Sequence, residues 1–371
     1  MRVLFAAGGT AGHVNPALAI AQGIAVRWPG ADIHFAGRQA GMERGLVQKA
    51  GYPFHPIEVR GFQRKPTPQN AVRNLQALWH LAFAPGAAQK ILKAVQPDVV
   101  IGAGGYVSGP VLREAARRGY KTAIHEQNAW PGMTNRLLAK DVDVIFAPTA
   151  SAVERLGYHA KTIVTGNPVR PEVTMQDRTA ARRALGAGER PVLLSYGGSL
   201  GAMRLNQVVA DLAEWHLAHR DFLHIHATGS IEKEDFAALA KEKGIAGRKN
   251  FVIREYIDDM PAMLAAADLV ICRAGALTLA ELAAVGRAAV LVPSPNVAEN
   301  HQHHNAMEFA KVGAAKVLEE STLTGQLLID TVDALTADPA VLQQMGQAAH
   351  RLDHPDALEK IIDAVARLVI G

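Results

Sequence analysis

Three times in this 371-residue chain a short apolar run gives way to glycines that open a helix-like stretch. Arg2–Ala7 leads into Gly8-Gly9-Thr10-Ala11-Gly12 and the amphipathic Pro16–Val26. Asp98–Ile101 leads into Gly102-Ala103-Gly104-Gly105 and a helix expected from Ser108 to Arg118. Pro191–Tyr196 leads into Gly197-Gly198-Ser199-Leu200-Gly201 and Asn206–Leu217. A glycine turn at a helix start collects unpaired backbone N–H groups and the positive end of the helix dipole, and no side chain blocks a phosphate from approaching them. One such turn can serve only to redirect the chain, but the recurrence favours an anionic ligand. A dinucleotide fold calls for G-x-G-x-x-G and an acidic residue closing the second strand. Here the first loop has other spacing, and the second strand ends at Gly37-Arg38. No G-x-x-x-x-G-K-[ST] run is present.

The polar residues near these turns define the remaining chemistry. His13 follows the first glycine turn; an imidazole titrating near pH ~6.5 suits proton abstraction, and it equally suits donation to a phosphate or bracing of the loop. Gln302 and Asn305, three apart, share a face if helical, and amides both donate to and accept from sugar hydroxyls. His301, His303 and His304 crowd the same stretch without a cysteine or acidic partner at ligand spacing, so no metal site is expected.

These groups need a scaffold. Ile33–Ala36, Thr122–His125, Val142–Phe146 and Thr162–Val164 read as further strands of the first half. Leu223–Ala227, Phe251–Ile253, Leu269–Cys272, Ala289–Val292 and Ala315–Leu318 read as strands of the second. Short apolar runs separated by helical stretches imply parallel sheets covered on both faces. The expected class is α/β: two doubly wound, Rossmann-like domains with a central cleft, ligands gathering at the carboxyl ends of the strands. Gly166-Asn167-Pro168-Val169-Arg170-Pro171 reads as the linker. That divides the chain into 1–167 and 168–354, and the amphipathic C-terminal helix, about 355–371, needs a surface to cover its apolar stripe.

Composition narrows the partners. An excess of 39 Lys+Arg over 35 Asp+Glu is too small to mark a nucleic-acid binder. The lone Cys272 allows no intrachain disulfide and fits a reducing compartment. The apolar N-terminal run is short for a secretory signal, and no stretch approaches the ~20 residues of a membrane span. The expectation is a cytoplasmic protein.

Six segments occur in one order: Gly8-Gly9-Thr10-Ala11-Gly12-His13-Val14-Asn15-Pro16, Gly104-Gly105-Tyr106-Val107-Ser108-Gly109-Pro110, His125-Glu126-Gln127-Asn128, Asn167-Pro168-Val169-Arg170, Gly197-Gly198-Ser199-Leu200-Gly201-Ala202 and Arg273-Ala274-Gly275-Ala276-Leu277-Thr278. Together they closely resemble the MurG family of peptidoglycan N-acetylglucosaminyltransferases, from the first strand to beyond Asn305. The resemblance implies the GT-B architecture and inverting transfer of N-acetylglucosamine from UDP-N-acetylglucosamine. The acceptor would be the 4-hydroxyl of the muramic sugar of undecaprenyl-pyrophosphoryl-MurNAc-pentapeptide, lipid I, giving lipid II. Other GT-B enzymes, a glycolipid synthase or a UDP-sugar epimerase, and a non-catalytic UDP-sugar sensor are the competing readings. Ala11 departs from the glycine usual in the family, and histidines flank the sugar-binding segment less typically.

By resemblance the second half holds the donor. Ser199 falls to the α-phosphate, its dull alternative being to cap the following helix. Glu281 falls to the ribose hydroxyls and the Ile257 backbone to uracil, Ile257 being core as a side chain. Ala276, Leu277, Thr278, Leu279 and Ala280 line the donor site, with Gln302 and Asn305 on the sugar. Thr10, Ala11, Gly12, Asn128 and Arg170 match donor-proximal positions. Gly104, Gly105, Tyr106 and Ser108 fall to the acceptor. His13 is a candidate base or acceptor-phosphate contact, Glu126 a competing base, and the choice stays open. No cofactor is expected, since the family uses a helix dipole where other transferases use a metal. Residues 59–97 contain Arg60, Arg64, Lys65, Arg73, Lys90 and Lys93 and no acid, interleaved with Leu75, Leu78, Trp79 and Phe83. Such a segment is either a basic surface helix with a core face or a contact with anionic lipid. A polyprenyl-linked acceptor favours the second, a peripheral enzyme on the cytoplasmic face of the inner membrane.

Overall fold

The computed structural model describes residues 1–59 and 84–370. The segment expected to touch lipid, including Lys65, Arg73, Leu75, Leu78, Trp79 and Phe83, lies outside the described residues. The chain divides into two compact units, Met1–Pro168 with His354–Gly371, and Val169–Asp353.

Unit 1 is built on a parallel sheet of seven strands: β1 (Arg2–Ala6), β2 (Asp32–Gly37), β3 (Phe54–Pro56), β4 (Val99–Gly102), β5 (Lys121–His125), β6 (Val144–Ala147) and β7 (Thr162–Val164). Their order is β3-β2-β1-β4-β5-β6-β7, with Val3 beside Ile33 on one flank and Val99 on the other. The central strands are apolar on both faces because helices cover both. These helices are α1 (Ala11–Arg27), α2 (Met42–Lys49), α3 (84–95), α4 (Gly105–Arg117), α5 (Met133–Leu138) and α6 (Ala150–Leu156).

Unit 2 repeats the plan with α7 (Pro171–Thr174), α8 (Arg178–Ala184), β8 (Val192–Tyr196), α9 (Met203–His219), β9 (Leu223–Ala227), α10 (Lys233–Glu242), β10 (Phe251–Arg254), α11 (Met260–Ala266) and β11 (Leu269–Cys272). It continues through α12 (Ala276–Val285), β12 (Ala288–Leu291), α13 (His301–Lys311), β13 (Ala315–Val317), α14 (Gly325–Thr336) and α15 (Pro339–His350). Its sheet order is β10-β9-β8-β11-β12-β13.

The last helix, α16 (Ala357–Ile370), buries Ile361, Ile362 and Val365 in unit 1. Its docking explains Gly23 inside α1: a Cβ there would sit 2.6 Å from Ile362 Cδ1. Glycine in a helix interior costs about 1 kcal/mol, offset here by close helix packing. In both sheets the strand order reverses direction between the first strand of the unit and its next inner neighbour, β1/β4 and β8/β11. Ligands settle at such switch points, and all three glycine turns leave from these strands.

Three expectations are corrected locally. The helix expected from Ser108 already begins at Gly105, its first turn disguised by glycine. α9 begins at Met203 with Ala202 at its N-cap, so Ser199 does not cap it. The edge strand β3 escaped notice because Phe54-His55-Pro56 is too short to show alternation.

Candidate active site

In unit 1 the two glycine turns are built against each other. A Cβ on Gly105 would lie 2.1 Å from the Gly8 carbonyl oxygen, and one on Gly104 would lie 2.6 Å from His13 Nδ1. Both positions also have positive φ, +78° and +97°, which favours glycine a second time. Behind them Ser108 is fully buried, its hydroxyl 2.7 Å from the Ala6 carbonyl and accepting from Gly104 N–H at 3.1 Å. Ser108 thus holds the loop from behind, and the expectation that it touches an acceptor is corrected. Tyr106, one position into α4, is exposed.

The helices opening from these turns have bare ends. No side chain caps α1 at Thr10 or α4 at Gly104, and neither first turn carries an acid. By contrast Thr149, Asp177, Thr324 and Asp338 cap α6, α8, α14 and α15 with their own oxygens. Ala11 takes the first helical position of α1 with ordinary backbone geometry, so its methyl leaves the turn's donors in place.

His13 is fixed by Gln127. The Gln127 amide nitrogen reaches the carbonyls of Ala103 (3.1 Å) and His125 (2.8 Å), which can only accept. Its oxygen therefore faces His13 Nδ1 at 3.0 Å, and an amide oxygen also only accepts. His13 must carry its proton on Nδ1, which leaves the Nε2 lone pair available as a base. The buried His125 beneath is pushed down to about 4 by desolvation, so it is neutral at neutral pH.

Glu126, the competing base, is occupied. Its two oxygens accept from Gln127 N, Asn128 N, Asn128 Nδ2, Gly132 N and Asn135 Nδ2 at 2.8–3.2 Å, and the residue is buried. A carboxylate whose oxygens already accept from five N–H groups shapes the 126–135 loop and leaves no free lone pair facing a substrate hydroxyl. Its role as base is corrected to that of a loop organiser, and Asn128 belongs to the same knot.

In unit 2 the third glycine turn is braced from the end of β9. A Cβ on Gly201 would meet the Thr228 carbonyl at 2.3 Å, and one on Gly229 would meet Gly201 N at 2.1 Å. Ser230 N and Ile231 N donate to the carbonyls of Ser199 and Leu200. Ser199 itself is exposed, and α9 behind it has no capping side chain and no acid in its first turn. The same holds for α12, whose first three positions are Ala276, Leu277 and Thr278; their N–H groups have no partner inside the helix. Leu279 differs: its N–H donates to the Gly275 carbonyl and its side chain is core, so its expected ligand contact is corrected. Ala280, on the same helix, is half-buried.

Glu281, in the second turn of α12, pairs with Arg170 at 3.3 Å. Burial raises its carboxyl above the usual range, and the Arg170 guanidinium opposes the rise. Ile257 is core by side chain, while its backbone N–H and carbonyl meet no partner among the described residues. Gln302 accepts from Ser294 N at 2.9 Å, leaving its amide nitrogen to other partners. Asn305 is buried and donates to the Ala274 carbonyl at 3.2 Å, so α13 is pinned to the ends of β11 and β12. His303 pairs with Glu319 at 2.6 Å and His301 Nδ1 meets the Ala298 carbonyl. Among the described residues no three His, Cys, Asp or Glu side chains converge on a common point.

Several contributors were invisible in the sequence. Glu43 is buried under Gly8, Gly37 and Gly41 and accepts from Arg38 N at 2.9 Å, with Gly9 N at 3.5 Å. Glu299 and Asn300 stand consecutively in the left-handed region, φ +52° and +51°, just ahead of α13. Two such residues outside glycine store strain of the kind found at ligand sites.

Two doubly wound parallel-sheet units, each opening bare helix ends from glycine turns, define a nucleotide-sugar transferase architecture of the GT-B class. The comparisons agree. Residues 3–147 match the glycosyltransferase family 28 N-terminal domain and residues 192–361 its C-terminal domain. The chain is 43% identical over 371 residues to the UDP-N-acetylglucosamine–N-acetylmuramyl-(pentapeptide) pyrophosphoryl-undecaprenol N-acetylglucosamine transferase of Desulforudis audaxviator, covering 99% of this chain and 98% of that one. It is 40% identical to the protein of the same description from Desulforamulus reducens, covering 100% and 99%. The crystal structure of Acinetobacter baumannii MurG superposes with a TM-score of 0.78 at 30% identity and 99% coverage of each chain. A Listeria monocytogenes protein described as a putative UDP-N-acetylglucosamine 2-epimerase reaches 0.69 at 14% identity, a likeness of fold alone. The chain belongs to glycosyltransferase family 28 and, within it, to the MurG N-acetylglucosaminyltransferases.

Proposed function

We propose that this chain moves N-acetylglucosamine from UDP-N-acetylglucosamine to the 4-hydroxyl of the muramic sugar on pyrophosphoryl-undecaprenol-linked N-acetylmuramyl pentapeptide. The observation that carries the reading is near-complete coverage at about 40% identity of relatives described by that reaction. Unit 2 takes the donor. The diphosphate lies against the bare N-terminal turns of α9 and α12, with Ser199 donating a hydroxyl hydrogen bond. Glu281 accepts from the ribose, the Ile257 backbone reads uracil, and Gln302 meets the sugar while Asn305 positions the turn beside it. Arg170 sets the orientation of Glu281. Thr10, Ala11, Gly12 and Asn128 are further candidate donor contacts.

The step is a single displacement. The acceptor oxygen forms a bond to the anomeric carbon as the bond to the UDP phosphate oxygen breaks, so configuration inverts. The acceptor proton passes to His13 Nε2, and the electron pair leaves with UDP. The tautomer imposed by Gln127 supports His13 in that role. Negative charge gathering on the leaving diphosphate is met by backbone N–H groups and helix dipoles that need no reorganisation. Gly104, Gly105 and Tyr106 present the acceptor-side surface of unit 1.

No described helix is long and apolar enough to cross a membrane. A lipid-linked acceptor draws the enzyme to the cytoplasmic face of the inner membrane as a peripheral protein, with residues 65–83 as the contact. The test is transfer of radiolabelled sugar from UDP-N-acetylglucosamine to a soluble lipid I analogue, with UDP release followed in parallel. Labelled disaccharide is the expected product. UDP-sugar binding without transfer to an authentic acceptor refutes the reading, and acceptor-independent conversion of the donor replaces it with epimerisation.

A further inference from the structure

At the opposite edge of the unit 2 sheet from the glycine turn lies a cavity of about 800 Å³ that the transfer reaction does not use. Its floor is formed where strands begin: Pro191 precedes β8, Asp268 precedes β11 and Ala288 opens β12. The candidate donor residues cluster at the other ends of these strands, four or five residues and about 13–17 Å away. One wall is the face of α15 that carries Leu342, Gln343 and Gln347; the other is α8 with Arg178 and Arg182.

The cavity holds more cation than its surroundings balance. Arg178, Arg182 and Arg287 gather over the C-terminal carbonyls of α11, donating to Leu264, Ala265, Ala266 and Ala267. Asp268 is shared by Arg178, Arg182 and the Val192 N–H. Glu189, the other acid on the lining, is exposed. Among the described residues Arg287 forms no ion pair; it donates to carbonyls of Leu264, Gly286 and Ala265, so two of its five N–H groups have no described partner. Burial, with the like charges of Arg178 and Arg182, pushes it down to about 10, against the pull of Asp268. A desolvated guanidinium beside two others has a large unmet affinity for negative charge, which the partial charge of one helix end offsets only in part.

We propose that this cavity is a second, non-catalytic anion site that takes a soluble phosphate-bearing small molecule. The phosphate sits against Arg287 and the unused Arg178 donors, and the organic body lies along Leu342. The size is that of a small-molecule pocket, and the recessed guanidiniums are suited to a slender anion reaching in.

Inorganic phosphate is the probe, titrated calorimetrically at constant ionic strength into the full chain already saturated with UDP, so that the glycine turns are filled. Saturable one-to-one binding is expected. Because Arg287 also caps α11 and its removal risks the fold, the test variants are Gln343→Glu and Gln347→Glu, both on exposed positions of α15. Each places a like charge in the cavity and is expected to weaken phosphate at least tenfold, with helical circular dichroism and transfer activity retained. Absence of saturable binding to the UDP-saturated chain overturns the proposal, as does saturable binding that both variants leave unchanged. Binding seen with phosphatidylglycerol vesicles but not with phosphate overturns it in favour of a lipid surface.

Discussion

The sharpest prediction concerns Gln127, which is buried behind His13. Gln127→Met keeps the length of the side chain and removes both the acceptor for His13 and the donor to the Ala103 and His125 carbonyls. Stability is expected to fall by about 2–6 kcal/mol, because two buried carbonyls lose the Gln127 donor at about 1–3 kcal/mol each. The catalytic effect is separate. A neutral hydrogen bond contributes about 1 kcal/mol, whereas one to an imidazolium contributes about 1.5–3. As His13 takes the acceptor proton the Gln127 contact strengthens, so its loss raises the barrier by roughly 0.5–2 kcal/mol, a factor of about 2–30 in kcat. Release of the tautomer lowers kcat further, while KM for UDP-N-acetylglucosamine is expected to stay within about twofold. Gln127→Glu supplies the control, since it keeps an oxygen facing His13. It is expected to be at least as unstable but to retain more of kcat. Steady-state transfer to a lipid I analogue, read beside urea unfolding, separates the two effects. Equal kcat in both variants, or wild-type kcat in Gln127→Met, refutes the assignment of His13 through its tautomer.

Further outcomes follow from the same geometry. His13→Ala is expected to lower kcat by about 10²–10⁴ with donor binding retained in calorimetry. Glu126→Gln turns an acceptor into a donor among five N–H groups and is expected to destabilise by about 2–4 kcal/mol; kcat per folded molecule should fall far less than in His13→Ala. Gly105→Ala demands a left-handed alanine and pushes a methyl into Gly8, at about 1–2 kcal/mol for the backbone alone, and should abolish acceptor turnover before UDP binding. Acid should unfold unit 2 early. His216, His224 and His226 are buried in a chain through Ser195, and burial pushes His216 down to about 4, His226 to about 3 and His224 well below its usual value. The unfolded chain binds protons at about pH 6.5 and the folded one does not, so stability is intact above that pH and is lost as pH falls towards 4. Each fully depressed histidine contributes about 2 kcal/mol of that loss by pH 5, measurable as a falling urea midpoint; a midpoint flat from pH 7 to 5 refutes it.

The glycine turns, the doubled architecture and most strands were legible because they follow from local chemistry: glycine permits φ that other residues avoid, and continuous apolar runs need two covered faces. Side-chain duties were less so. Glu126 and Ser108 stand in recognisable motifs, and type and position alone make them look like reactive groups; only their hydrogen-bond partners show that their oxygens are occupied. Glu43 reads as a solvated helix carboxylate within Met42–Lys49, since nothing local reveals that Gly8, Gly37 and Gly41 close over it. Thr228–Ile231 carries no pattern of its own and matters only because the chain returns past Gly201. Gln127 sat in plain view inside a motif, yet its job depends on which carbonyls surround it, which is tertiary information.

The bare helix ends have an evolutionary consequence. Where a diphosphate is met by main-chain N–H groups, as proposed for the first turns of α9 and α12, recognition is written in atoms that every amino acid except proline possesses. Drift at these positions changes bulk but leaves the donor array in place. An inhibitor that mimics the diphosphate and reads only this array would present the cell with few escape routes. A substitution large enough to evict the inhibitor would also evict the natural ligand, so resistance would have to arise at the periphery, through residues that touch the drug and not the substrate.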